Sequence, residues 1–316
     1  MIKGYIKKDN KIIERTYKID KTKKAIEVLY CGICGTDYQK FIGMDNVEEW
    51  GHEIIGKIDN ELVTIRTTYP CGKCNNCCNN HPEKCNNWAR QNMNGFSEKI
   101  FVDTNSIIKI EDDKLDIVYA LIEPLYVANN LIKHTNPTSD SIYTVVGNGT
   151  IGLLSAFLIK HKYNAEVRVV GRRNLNSRKE FINKINAKYF DFNDIGNALK
   201  ESNKIIITTP YNTIPDILKE ADSYSNITFN GISKETEIKL EMDKWHFKNL
   251  CIWPSFPHPQ SEFKEEINII KHNKDILRSI ITNIYNLSDI EDAFKSLNNK
   301  KQDNIKILIK CKGEEK

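Results

Sequence analysis

The stretch Gly147-Asn148-Gly149-Thr150-Ile151-Gly152 restricts the fold of this chain more than any other. It follows a short apolar run at 142–146 and opens a longer apolar stretch at 149–162. In that context each glycine has its own reason. The first makes a tight turn, the second lets backbone approach a pyrophosphate, and the third lets the helix sit close on the strand. The new helix then offers its N–H groups and positive dipole end to phosphate oxygens. Beyond it, strand-like runs at 166–170, 204–208 and 226–229 alternate with helical runs at 175–186 and 214–221. That alternation predicts a parallel sheet covered by helices on both faces. Gly147, Asn148, Gly149, Thr150, Ile151 and Gly152 are therefore read as cofactor-binding residues, with Thr208 and Asn230 after the following strands added to them.

The run at 166–170 carries the second piece of information. In a dinucleotide-binding unit this strand ends in Asp or Glu when a ribose 2′-hydroxyl is to be bound. Here it ends in Gly171-Arg172-Arg173. A carboxylate there would repel a 2′-phosphate, whereas two guanidiniums can grip one with charge-assisted hydrogen bonds. The expected cofactor is NADP in preference to NAD.

The first 110 residues read differently, as short strands and loops. Within them Cys31-Gly32-Ile33-Cys34-Gly35-Thr36-Asp37 and Gly51-His52-Glu53 gather thiols, an imidazole and carboxylates among glycines. Catalytic zinc is held by such donors with one position left open. Cys34 and His52 are read as two of its ligands. A second cluster, Cys71-x2-Cys74-x2-Cys77-x7-Cys85, lies in a loop with no apolar periodicity. Four closely spaced thiolates match a closed tetrahedral zinc site whose work is to hold the loop in shape. Cys78 is one thiol too many and is read as a bystander, and His81 as a less suitable substitute. The expectation is two zinc ions per chain.

Composition excludes other classes. The 46 basic and 42 acidic residues are interspersed and leave a net charge of only +4, so nothing argues for nucleic acid. No run approaches the ~18 apolar residues of a membrane span, and the first ten residues carry no secretory signal. A soluble, cytoplasmic protein is expected, in which nine cysteines read as metal ligands before disulfides.

Taken together, these motifs resemble the zinc-dependent medium-chain alcohol and polyol dehydrogenases, the sorbitol and glucose dehydrogenase-like subgroup above all. The resemblance runs almost end to end. It covers Gly32-Ile33-Cys34-Gly35-Thr36-Asp37, Gly51-His52-Glu53, Pro70-Cys71-Gly72-Lys73-Cys74, Gly95-Phe96-Ser97-Glu98, Glu123-Pro124-Leu125, the phosphate loop and 287–294. It implies an α/β chain, with a GroES-like β-rich catalytic domain at 1–130 completed by about 261–316. A Rossmann domain at 131–260 is inserted, and the catalytic zinc lies in the cleft. It also implies Glu123 as third ligand, with Glu53 the adjacent carboxylate that binds directly or exchanges with it, one at a time. Thr36 would help relay the substrate's hydroxyl proton, and Cys34 and His52 would be catalytic as ligands. The implied substrate is a sugar, a polyol or a polyol phosphate. A simple alcohol, or a non-catalytic nucleotide-binding relative, is the alternative. The implied assembly is a homodimer or homotetramer. Three stretches depart from the family: 53–70 and 37–51 are short, and 253–259 replaces a more glycine-rich turn. His134, His161, His246 and His272 are read as surface or core residues, and nothing requires a role for His258.

Overall fold

The computed structural model describes residues 2–112, 114–172, 176–231, 237–256, 258–299 and 302–312. Two compact units share the chain: Met1–Glu123 with His258–Lys316, and Pro124–Pro257.

The first unit opens with an antiparallel hairpin of Ile2–Lys8 and Lys11–Tyr17. Asp9 and Asn10 turn it with φ of 49° and 64°. Such left-handed pairs match the twist of the flanking strands, and Asp and Asn tolerate them well. A larger sheet orders its strands as Ile281–Asn286, Lys306–Lys310, Lys24–Gly32, Glu53–Ile58, Glu61–Ile65 and Ile107–Lys109, with Lys99–Val102 also paired to Lys24–Gly32. Leu308 stands opposite Gly32 and Ile309 opposite Cys31, so the two ends of the chain build one sheet. Its core includes an aromatic group, Phe294, Trp50 and Phe96. Trp50 stacks on Phe294 at 5.0 Å, and Phe96 meets both rings edge-on at 5.4 and 5.7 Å. Phe294 reaches this core because Ile290, Ala293 and Phe294 share one face of the helix Ile290–Asn298 and are buried together.

The second unit is a six-stranded parallel sheet in the order Lys188–Asp191, Glu166–Gly171, Ile142–Val146, Lys204–Ile207, Asn226–Phe229, Cys251–Pro254. Lys204–Ile207 is buried along its whole length, as a central parallel strand must be. The helix Thr150–Tyr163 buries every residue from Gly152 to Ile159, which explains its apolar circumference. Among the described residues no helix is long and apolar enough to cross a membrane.

Several local expectations shift. The apolar residues of 116–134 recur at helical spacing, which by itself suggests one helix kinked or divided by Pro124, but the structure has a 3-10 turn Ile117–Leu121 followed by the α-helix Ile122–Lys133. Pro124 sits in the first turn of that helix, where the missing N–H has no intrahelical partner to lose. In the C-terminal segment the helix Lys264–His272 is followed by a second short one, Lys274–Arg278. Lys188–Asp191 and Cys251–Pro254 are strands with no sequence signal of their own. Both lie at sheet edges, where pairing with a neighbour rather than propensity decides, and where Pro254 is tolerated.

Removing Phe294 would empty the centre of the aromatic group. Phe294→Ala is expected to cost about 3–5 kcal/mol in chemical denaturation, whereas Ile13→Ala on the exposed hairpin should stay within about 0.5 kcal/mol.

Candidate metal centres and dinucleotide loop

The strand Lys24–Gly32 leads into the helix Gly35–Gly43, with Cys34 as its N-cap. Asp37, on the first turn, is completely buried. Its Oδ2 accepts the Cys34 N–H at 3.1 Å and its Oδ1 accepts the Gly51 N–H at 2.9 Å. One carboxylate thus ties the turn that carries Cys34 to the turn that carries His52. Gly51 has φ +68°, and a side chain there would press on the Cys31 sulfur and the Phe96 ring. Glu53 follows as the first residue of its strand.

One donor atom each from Cys34, His52 and Glu53 lie within 4.8 Å of one another. Ligands of about 2.0–2.3 Å bond length on one tetrahedral zinc stand ~3.3–3.8 Å apart, so a small movement of these side chains would bring all three donors onto one ion. Its charge also calls for a cation. Burial opposes protonation of His52, yet its contacts with Cys34 and the nearby Asp37 and Glu123 outweigh it and hold the imidazole well above its ordinary pKa. Thiol, imidazole and carboxylate suit zinc, and the residues present fit that ion.

Two glutamates adjoin this group under different restraints. Glu53 Oε2 pairs with Lys306 Nζ at 2.5 Å, and both side chains are almost fully buried, at 2% and 3% exposure. Lys306 Nζ also donates to the Ile33 carbonyl at 3.0 Å. Burial opposes the charge on Lys306, but Glu53 and Cys34 raise its pKa. Glu123 Oε1 accepts from Gln260 Nε2 at 3.0 Å, and Gln260 Oε1 is itself held by the N–H and hydroxyl of Thr67. Glu123 stands outside the three-donor group. Burial, with Glu53 adding to it, raises the Glu123 pKa while His52 lowers it, so the carboxylate feels its neighbours. Thr36 is half-buried two residues beyond Cys34.

Lys306 and Gln260 escaped the sequence reading. Nothing in the spacing of Lys306-Ile307-Leu308-Ile309-Lys310 separates an inward lysine from an outward one. Asp37 both closes the cap of the helix Gly35–Gly43 and bridges two loops. His258 acquires surroundings: its Nδ1 lies 2.6 Å from the Thr68 hydroxyl and its ring stacks near Trp88. Burial first, then His52 and Arg90, push its pKa down to about 4. His134 stacks on Trp253 and His161 on Phe157. Among the described residues none of these histidines belongs to a cluster of metal donors.

The second cysteine group gathers Cys71, Cys74, Cys77 and Cys85. Sulfur separations are 3.5 Å for Cys74–Cys77, 3.8 Å for Cys74–Cys85 and 4.0 Å for Cys71–Cys77. A tetrahedron with Zn–S bonds of about 2.3 Å has edges of ~3.8 Å, so four thiolates fit around one zinc here. Backbone N–H groups of Lys73 and Cys74 lower the Cys71 pKa to about 6, and the thiolate is the form that binds metal. Cys78 is exposed and His81 turns to Glu83, so neither belongs to the group.

In the parallel unit, Gly147 has φ +119°, a conformation L side chains avoid. A Cβ at Gly152 would overlap the Gly147 carbonyl, and one at Gly171 would overlap the Asn148 side chain. Nothing lies within 4 Å of the corresponding point at Gly149, so that face of the loop is open. Thr208 donates its hydroxyl to the Val146 carbonyl and lies against Gly147, supporting the loop from beneath. Asn230 is anchored through its N–H to Ile207. Arg178, which the sequence reading passed over, is buried and donates from Nε to the Asn148 carbonyl at 3.1 Å. Arg172 is exposed with its guanidinium 4.3 Å from the centre of the Phe192 ring, and Arg173 lies outside the described residues.

The chain is similar to known proteins along most of its length. The family described as "Glucose dehydrogenase C-terminus" matches residues 118–311, and "Alcohol dehydrogenase GroES-like domain" matches 20–112. Sorbitol dehydrogenase of Halalkalibacterium halodurans is 22% identical over 315 residues, spanning 90% of this chain and 90% of that protein. The structure of the rspB alcohol dehydrogenase of Escherichia coli CFT073, complexed with NADH, superposes with a TM-score of 0.81 at 24% identity, over 98% of this chain and 99% of the other. A zinc-binding dehydrogenase structure from Sinorhizobium meliloti 1021, bound to NADP, gives 0.81 at 19% identity over 98% and 99%.

Metal analysis of the purified chain should return two zinc equivalents. Cys34→Ser and Cys74→Ser should each lower this to about one. Only Cys74→Ser should also lower the melting temperature substantially, because a closed four-thiolate zinc contributes folding energy directly.

Proposed function

Because this chain belongs to the zinc-dependent medium-chain alcohol and polyol dehydrogenase family, an oxidoreductase family, we propose that it moves hydride between a sugar or polyol hydroxyl and NADP. The observation that carries the reading is the group of half-buried Cys34 and His52 with buried Glu53, beside a second glutamate, Glu123. A carboxylate in the ligand set and a relative that oxidises a polyol by name both favour a polyhydroxylated substrate.

Cys34 and His52 would hold zinc, with Glu53 or Glu123 as the carboxylate ligand. When bound, the metal supplies Lewis acidity that makes a substrate hydroxyl easier to deprotonate. Thr36, two residues past Cys34, would pass that proton toward solvent. A bound nicotinamide cofactor would supply the hydride acceptor that lets the carbinol become a carbonyl. Asp37 keeps the Cys34 and His52 backbone turns at a fixed distance, so the donors do not have to be ordered at the moment of reaction. The four cysteines would hold a second zinc that shapes the 71–85 loop.

The N–H groups at the start of the helix Thr150–Tyr163 would receive the pyrophosphate, approached across the open face of Gly149. Arg172, with Arg173, would read the 2′-phosphate. The stacking of Arg172 on Phe192 orients its guanidinium without consuming its hydrogen-bond donors. The NADP bound in the Sinorhizobium meliloti structure agrees with this reading, and the NADH bound to the Escherichia coli protein supplies the competing one.

A screen of sugars, polyols and simple alcohols with NADP and NAD side by side tests the proposal; turnover confined to simple alcohols would overturn the substrate class. Cys34→Ala should abolish turnover with the circular dichroism spectrum unchanged. Arg172→Ala should raise KM for NADP about tenfold or more, the weight of one charge-assisted hydrogen bond, and leave KM for NAD within about twofold. Equal loss with both cofactors would sink the 2′-phosphate assignment.

A further inference from the structure

The two glutamates beside Cys34 and His52 are restrained by partners of different charge. Glu53 faces a buried ammonium, and Glu123 faces the neutral amide of Gln260. The Glu53 arrangement is built into the sheet. Glu53 stands opposite Gly32 across an antiparallel pair, and a Cβ at Gly32 would overlap its Oε2. The absence of a side chain at Gly32 is what lets the carboxylate lie where Lys306 can reach it. Lys306 arrives from the strand on the other side of Lys24–Gly32, and the Ile33 carbonyl holds its ammonium in place. Three neighbouring strands therefore cooperate in one contact.

Such a contact must act on any cation that enters the donor group. A buried carboxylate needs a positive partner, and Lys306 supplies one without metal. A divalent ion would have to share Glu53 with an ammonium already 2.5 Å from one of its oxygens. Glu123 gives up only a neutral hydrogen bond to turn toward the ion, so it is the carboxylate that can be lent at lower cost. Resting on the zinc-site reading above, we propose that Lys306 is a positioning residue that decides which glutamate completes the Cys34–His52 site: it holds Glu53 back and leaves the place to Glu123.

Cobalt(II) substitution tests this through ligand-field absorption, which reports the coordination shell whether or not the enzyme turns over. The spectrum of Cys34→Ser gives the contribution of the four-cysteine site, and subtracting it isolates the Cys34–His52 site. If Cys34→Ser leaves the full spectrum unchanged, the zinc-site reading itself fails. With that difference spectrum in hand, Glu123→Gln should change it about twofold in intensity while Glu53→Gln leaves it as in the unaltered chain. In Lys306→Met the dependence should reverse, with Glu53→Gln now the change that matters. Metal should also leave that variant for a chelator about tenfold more slowly. Lys306→Arg keeps the charge and should restore the original behaviour. A spectrum in the unaltered chain that responds to Glu53→Gln and not to Glu123→Gln would overturn the proposal. This comparison needs no change at Lys306, so it decides the matter even if Lys306→Met does not fold.

Discussion

The geometry of the Cys34–His52 donor group depends on the buried carboxylate of Asp37. It has no exposure to solvent and spends one oxygen on the Cys34 N–H and the other on the Gly51 N–H. Those two amides are seventeen positions apart in the chain, and each immediately precedes or belongs to one of the donor residues. A single charged group therefore sets the distance between a thiol and an imidazole that no local structure could set. The arrangement is also electrically consistent. Asp37, Cys34 and Glu123 all raise the His52 pKa, so the site holds surplus negative charge that a divalent ion would neutralise.

That surplus explains why Lys306 is tolerated in the interior. A lone buried ammonium is costly, but here it lies among anions and its pKa is raised rather than lowered. The lysine comes from the last strand of the chain, and its partner Glu53 from the first unit's opening third. Both reach the same point because the C-terminal strand Lys306–Lys310 pairs with Lys24–Gly32. The joining of the two ends of the chain into one sheet is thus part of the site's electrostatics as well as of the fold.

The parallel unit works by removing side chains rather than adding charges. Gly152 is needed because a Cβ would strike the Gly147 carbonyl, and Gly171 because one would strike Asn148. The three-glycine pattern made the loop legible in the sequence, and the positive φ of Gly147 fits the tight turn expected of the first glycine. The third differs in detail: Gly152 relieves the loop's own carbonyl and the Thr208 hydroxyl of the next strand. Thr208 could be chosen as a loop-side position by its place after a strand, yet its hydroxyl supports the turn instead of facing outward. Arg178, buried against Asn148, had no such marker because an arginine in a polar helical run reads as surface.

What the sequence determined by itself was the set of local motifs: the strand–glycine–helix unit, the two donor clusters and the family resemblance. Each is decided by residues close together in the chain, where turn geometry and ligand spacing leave few alternatives. Pro124 shows the limit of that reasoning, since whether it divides a helix or begins one depends on where tertiary packing starts the first turn. Only the tertiary structure decided that Lys306 faces Glu53, that Gln260 holds Glu123, and that Asp37 joins two loops. These are contacts across long sequence separations between ordinary charged and amide residues. Pairing register, not residue type, brings them together, and register is a property of the assembled sheet.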